Sequence, residues 1–195
     1  MISNKYYRFA KEDLFKLPRS LTGKGTEKTL IKIKKKFPNL KINKIKSGTK
    51  IFDWKIPDEW NIKKAYVIDK YKNKIIDFSK NNLHIIGYSS PVKKIINKDE
   101  LLKKINTLPN RPNSIPYITS YYKKNWGFCA PHNLKKEINK NYKKNDKFEI
   151  VIESSFNKKG FLKYGEYYIR GKSKREVLIS TYICHPSMAN NELSG

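Results

Sequence analysis

The segment Val177-Leu-Ile-Ser-Thr-Tyr-Ile-Cys184 constrains the fold more than any other stretch of this chain. Its apolar character is nearly continuous rather than alternating, the pattern of a strand buried on both faces in a sheet with helices above and below. It reads as a central strand of an α/β domain. With 195 residues, 38% of them hydrophobic, the chain carries enough apolar material for a core. No apolar run approaches the roughly 20 residues of a membrane-spanning helix. Residues 1–21 lack the apolar centre of a signal peptide. Cys129 and Cys184 form no CxxC pair and occupy dissimilar segments. Two free thiols in a reducing compartment, a soluble cytoplasmic chain and no membrane partner are therefore expected.

The rest of the chain supplies the elements around that strand. Residues 5–16 place Tyr7, Ala10 and Leu14 at helical spacing ahead of Pro18, and residues 26–37 place Leu30, Ile33 and Phe37 on one face. Thr26 suits an N-cap, and Pro38 closes that second helix. From Leu40 the period shifts towards two. Residues 50–54, 63–69, 74–78 and 83–88 are short and strand-like, joined by turn signals such as Ser47-Gly48, Pro57-Asp58 and Lys72-Asn73. Their spacing suits hairpins rather than parallel crossovers. A helix over 99–108, capped by Asp99, precedes a proline-punctuated stretch. Residues 147–156, 160–170 and 175–184 then read as three consecutive strands.

The formal net charge is +26, whose first reading is an anionic partner. Only five of the 43 basic residues are arginine: Arg8, Arg19, Arg111, Arg170 and Arg175. Nucleic-acid readers depend on arginine for bidentate and stacking contacts. The lysines are spread over most of the chain and fill solvated positions. No zinc-finger spacing, RNP-like aromatic pattern or basic heptad accompanies them. A basic nucleic-acid-binding protein is thus the lesser alternative.

Directly after the 177–184 segment comes His185-Pro-Ser-Met-Ala-Asn-Asn-Glu-Leu-Ser-Gly195. Ligands in open α/β sheets gather beyond the carboxyl ends of the strands, and a neutral imidazole is the commonest metal ligand. Asn191 and Glu192 follow six and seven residues on. A carboxylate there would place a hard oxygen beside imidazole nitrogen, a donor pair that suits zinc. If 177–184 is a strand, parity turns Cys184 to the opposite face from His185, which argues against the thiol as a ligand. His84, within a strand-like segment, and His132, in a Pro-His-Asn turn, read as structural. Tyr117, Tyr121, Tyr122 and Trp126 could pack a core or offer a peptide- or sugar-binding face.

The string from Ser180 to Gly195 resembles the zinc-site signature of a bacterial aminopeptidase-like family in the zinc exopeptidase superfamily. Arg19-Ser-Leu-Thr-Gly-Lys-Gly25 is similar to that superfamily's Arg-x-x-Gly segment. Phe52-Asp-Trp-Lys-Ile-Pro-Asp-Glu-Trp-Asn61, Tyr88-Ser-Ser-Pro-Val92 and Trp126-Gly-Phe-Cys129 resemble the family's inserted domain. The resemblance implies a partial zinc-exopeptidase-like α/β domain interrupted by a β-rich inserted domain. Residues 1–48 and 141–195 would belong to the peptidase-like part and 49–140 to the insertion.

It further implies a site with one or two zinc ions, His185 with Glu192 or Asn191 as metal ligands, Arg19 contacting substrate, and a peptide or amide substrate. Full-length members continue into further ligands, a catalytic glutamate and a winged helix. This chain is therefore expected to be an amino-terminal portion with no catalytic residue of its own. A homo-oligomer is compatible with that reading.

Ser187 stands where the superfamily carries an Asp that orients the histidine, and Asn191 stands at the metal-bridging position. An uncharged amide bridges two dications poorly. Either Glu192 takes over, a single zinc binds, or affinity falls. Asn191 also keeps open a non-catalytic interaction or carbohydrate-recognition protein on the same scaffold.

Overall fold

The computed structural model describes residues 4–188. In chain order the elements are α1 (Asn4–Arg8), running into a π-helical turn (Phe9–Leu14), α2 (Lys24–Lys36), β1 (Lys41–Lys46), β2 (Lys50–Ile51), β3 (Trp54–Lys55), β4 (Glu59–Ile68) and β5 (Lys74–Asp77). A 3-10 turn (Asn82–His84), β6 (Val92–Asn97), α3 (Lys98–Lys104), β7 (Ile105–Asn106), β8 (Phe128–Cys129), α4 (His132–Asn141), β9 (Lys147–Asn157) and β10 (Phe161–Glu166) follow, with a last 3-10 turn at Pro186–Met188. Helices and sheets thus mix, as expected of an α/β class. Two compact units emerge: Met1–Asn61 with Phe156–Gly195, and Ile62–Ser155. No helix among the described residues is long and apolar enough to cross a membrane.

In the first unit, α2 forms because Leu30 and Ile33 share a face while Glu27 opens the first turn and Lys34, Lys35 and Lys36 close the last, matching the helix dipole. Its N-cap is Gly23 rather than Thr26. The Thr26 hydroxyl lies inside the helix and donates back to the Ser20 carbonyl. At the other end Phe37, restricted by Pro38, leaves the helical region at φ −127°, ψ 81°. Strands β1 and β10 pair antiparallel from Lys41↔Glu166 to Lys46↔Phe161. Gly165 lets α2 approach this ribbon, since a Cβ there would lie 3.1 Å from Leu30 Cδ2. Lys163 on the same face pairs with Glu27 of α2 at 2.7 Å.

The second unit is built on a four-stranded sheet in the order β5-β4-β9-β6. The β4–β5 and β6–β9 pairs are antiparallel, and β4–β5 is the hairpin that the Lys72-Asn73 turn signal favours. Val67, Ile76, Phe148, Ile150 and Ile152 from the sheet, with Leu101 and Ile138 from α3 and α4, are fully buried and make the core. Helix α3 is capped two residues before Asp99, by Asn97. Asn97 accepts from the Glu100 N–H at 2.9 Å while the Glu100 carboxylate accepts from the Asn97 N–H, a complete capping box. The segment 83–88 is not a strand, because Asn81 Oδ1 accepts from the Leu83 N–H at 2.9 Å and winds the chain into the 3-10 turn.

The β4–β5 turn of this unit is organised by Asp69, only 4% exposed. Its carboxylate accepts from the backbone N–H of Tyr71 at 2.9 Å and of Asn73 at 2.8 Å, and from the Tyr142 hydroxyl at 2.7 Å. Burial pushes this carboxyl upward, but the hydrogen bonds from Tyr142, Asn73 and Tyr71 outweigh it and hold it below the ordinary carboxylate range. The same environment pushes the Tyr142 hydroxyl up to about 12. A depressed carboxyl stabilises the fold above its unfolded pKa, and that stabilisation is lost as pH falls through the folded value. Asp69→Asn is therefore expected to cost roughly 1–2 kcal/mol at neutral pH. The gap to the parent should close as acid is added below the usual carboxylate range, a trend that urea melts across pH measure directly.

The largest departure from the sequence reading is at 175–184, which forms no strand. Val177, Leu178 and Ile179 are 89%, 91% and 87% exposed. A strand apolar on both sides is stable only with paired neighbours and a covering layer. Among the described residues none is hydrogen-bonded to this segment as a strand partner, so its pattern has no sheet to enter.

Candidate functional site

The site grows from the loop between the π-helical turn and α2. Pro18 stops the first helical stretch, and the chain then folds through Arg19-Ser-Leu-Thr-Gly-Lys-Gly25. Hydroxyl groups shape this loop: Ser20 Oγ donates to the Thr22 carbonyl at 2.5 Å, and Thr22 Oγ1 accepts from the Trp60 N–H at 3.0 Å. The Lys24 N–H donates to Asn61 Oδ1 at 2.8 Å, tying the start of α2 to the start of β4. Gly23, at φ 94°, lies where a Cβ would come within 2.1 Å of the Trp60 carbonyl oxygen, so the position requires glycine.

Arg19 points inward from this loop and is 2% exposed. Its Nε donates to the carbonyl oxygen of His185 at 2.9 Å, and its Nη1 donates to the carbonyl of Leu14. The histidine at the head of the expected metal motif is thereby brought against the amino-terminal loop across 166 positions of sequence. The His185 ring is half-exposed and meets the Tyr182 ring edge-on at 6.4 Å between centroids. Ser187 adopts φ 55°, a left-handed conformation in the turn after Pro186.

Cys184 Sγ lies 4.0 Å from His185 Nδ1. Strand parity assigned the thiol to the opposite face, but the segment is not a strand, so that argument does not hold here. Asn191 and Glu192 lie outside the described residues. Among the described residues no group of three His, Cys, Asp or Glu side chains could hold a metal ion. A stable zinc centre takes three or four ligands. The described residues therefore do not by themselves fit zinc.

The other singled-out residues have structural partners. His84 Nδ1 sits 2.8 Å from the Cys129 carbonyl oxygen, and burial lowers the His84 pKa. His132, at the start of α4, has Nδ1 2.9 Å from Thr107 Oγ1. Tyr88 is buried, with its ring edge-on to Tyr121 at 5.3 Å. Two ammonium groups, Lys94 Nζ and Lys104 Nζ, lie 4.8 and 4.7 Å from the centroid of the Trp126 ring. Tyr117 and Tyr122 remain on the surface at 38% and 63% exposure. Sequence reasoning passed over the tip of the β2–β3 hairpin, where Phe52 is 92% exposed at φ 51°. A bulky residue in a two-residue turn between alternating apolar positions was the available signal.

The two thiols differ in kind. Cys129 is fully buried, and burial pushes its thiol up to about 12, whereas Cys184 is half-exposed. Ellman's reagent at neutral pH should titrate one thiol in the folded chain and the second only after denaturant is added. Rapid reaction of both in the native state would contradict this burial.

The model of a domain of unknown function, DUF4910, matches residues 7–195. Over 184 residues the chain is 50% identical to a Clostridium acetobutylicum protein named "Putative polysaccharide biosynthesis protein with aminopeptidase-like domain", covering 94% of this chain and 41% of that protein. A crystal structure titled "putative peptidase", also from Clostridium acetobutylicum, superposes with a TM-score of 0.84 at 47% identity, over 96% of this chain and 45% of the solved one. The chain thus spans less than half the length of these relatives and is similar to peptidase-like proteins over nearly its whole extent.

Proposed function

This chain belongs to the DUF4910 family, and from that membership we propose that it is the amino-terminal portion of a zinc-dependent aminopeptidase-like hydrolase acting on peptide or amide bonds. The reading is carried by the 50% identity to a protein whose name includes an aminopeptidase-like domain. The meeting of the His185 segment with the buried Arg19 loop supports it locally. His185 is the first metal ligand, and Glu192 or Asn191 supplies a second. The remaining ligands and the proton-transferring carboxylate come from polypeptide that the longer relatives possess. In the longer protein 177–184 pairs as a strand, which removes Val177, Leu178 and Ile179 from water. Two free thiols suit a cytoplasmic setting.

This portion alone is inactive in the proposal, since one imidazole and one oxygen do not hold a stable zinc ion. A fluorogenic aminoacyl substrate with added zinc tests both halves of the statement. The 195-residue chain should give no turnover, and a protein of the relatives' length carrying this segment should give turnover that chelators abolish. Turnover by the chain alone, or none by the longer protein with zinc bound, would overturn it.

A second reading, a non-catalytic carbohydrate-recognition protein on the same scaffold, is favoured by Asn191 at the bridging position and by the polysaccharide-biosynthesis name of the relative. Elemental analysis separates the two. A degenerate scaffold retains little zinc after dialysis.

A further inference from the structure

We propose that the outer edge of β6 binds an extended acidic peptide as a fifth strand of the second unit's sheet. The proposal stands apart from the hydrolase reading, because every residue it uses lies between Ile62 and Ser155.

Strand β6 closes one side of the order β5-β4-β9-β6 and pairs with β9 along its whole length, from Val92↔Ile152 to Asn97↔Lys147. In an antiparallel pair alternate residues turn their N–H and C=O towards the partner strand, and those between turn theirs away. The Asn97 N–H donates to the Glu100 carboxylate at 3.3 Å, which places Asn97 in the outward set. By alternation Lys93 and Ile95 belong to it too. Among the described residues the outward N–H and C=O groups of these two have no backbone partner, and Lys93, Lys94 and Ile95 are all exposed. An open row of this kind is a template for another backbone. Neither a glycan nor a nucleic acid carries N–H and C=O groups at the strand repeat, so the row selects a polypeptide.

Charge decides which kind. Lys94 Nζ and Lys104 Nζ approach the Trp126 ring, while carboxylates of this unit pair elsewhere, Glu153 with Lys64 and Asp146 with Lys70. A ring quadrupole attracts an ammonium without neutralising it. The ring's backbone is itself held, since a Cβ on the adjacent Gly127 would lie 2.9 Å from the Lys104 carbonyl oxygen and 2.8 Å from Ile86 Cδ1. The opposite face of β6 is less basic: Lys93 shares it with Glu149, directly across from Ile95, and with Glu153. An incoming strand is thereby sorted by its own alternation, acidic side chains towards Lys94 and apolar ones over Ile95. A second copy of this chain is a poor occupant, as each carries a net charge of +26.

The test adds a short labelled peptide of alternating Glu and Val to the 195-residue chain at low salt, reading fluorescence anisotropy and residue-resolved amide exchange. Saturable binding should slow exchange at Lys93 and Ile95 and leave β5, the other edge, unchanged. Methylating alternate amide nitrogens of the peptide keeps its charge but removes the donors facing β6, and should weaken binding by roughly 10-fold or more, the scale of two lost hydrogen bonds. Ile95→Pro should act alike, and the sheet should survive it because that N–H makes no ladder bond. Replacing both lysines, Lys94→Ala with Lys104→Ala, should weaken binding by roughly 3- to 10-fold.

Equal affinity of the methylated peptide, or unprotected Lys93 and Ile95 amides at saturation, would overturn the proposal and leave only a charged surface. So would the absence of saturable binding to the parent. Oligothymidylate or polygalacturonate slowing the same two amides as strongly as the peptide would also overturn it, since neither polymer can pair with a strand.

Discussion

Gly25→Ala is expected to destabilise the first unit by roughly 2–4 kcal/mol, the upper range for a single substitution that forces backbone apart. The new Cβ would lie 2.0 Å from the Pro18 carbonyl oxygen and 2.5 Å from its carbon, and neither atom belongs to a side chain that can swing away. Gly23→Ala should act comparably by a different route. At φ 94°, ψ 179° the backbone is in a region open to glycine and strained for L-residues, and the Cβ meets the Trp60 oxygen. Both changes strike the loop that aims Arg19. Hydrogen exchange resolved by residue checks the prediction: protection should fall across α2, β1 and β10 and persist in the β5-β4-β9-β6 sheet. Protection in α2 within about 0.5 kcal/mol of the parent would show that the loop yields more easily than its geometry implies.

On the proposed metallohydrolase reading, His185→Ala is expected to have the largest functional effect. In a protein of the relatives' length it should lower kcat/KM on an aminoacyl substrate by at least about 100-fold, since even supporting residues of metal sites cost 10–100-fold. Zinc content by elemental analysis should fall with it. The fold should survive, because the half-exposed ring is not part of the hydrophobic core. Loss of zinc with retained activity would assign the chemistry to other groups.

What the sequence made legible was local. Leu30, Ile33 and Phe37 at helical spacing, the proline after them and the glycine-rich loop before them specify α2 with little help from distant residues. The alternating segments and turn residues of the second unit likewise lead to antiparallel pairs. Capping was less legible. Thr26, Asp99 and Asn97 are all competent caps, and what decided among them was the Gly23 geometry and the Glu100 carboxylate three residues beyond Asn97.

The strand-like pattern of 177–184 failed for a different reason. An apolar run states what environment a segment needs, and the described residues do not provide it. The parity argument about Cys184 failed with it.

The candidate site was legible in part. His185 follows from an imidazole at the end of an apolar run and from resemblance. The contact between its carbonyl and Arg19 spans 166 residues and leaves no mark in spacing or composition. The substrate-contact role of Arg19 comes from the resemblance of its segment alone, and a helix-linking loop fits the same residues. Of the two carbonyl partners of Arg19, Leu14 lies five residues back and His185 lies 166 residues on, and no local pattern reports the second.

The most direct measurement is anomalous diffraction at the zinc edge from crystals of a protein of the relatives' length carrying these residues. An anomalous peak about 2.0–2.1 Å from a ring nitrogen of His185 is the expected result. A fully occupied zinc site elsewhere, with the His185 ring turned away from it, would contradict the assignment of this chain to a metallohydrolase through that residue.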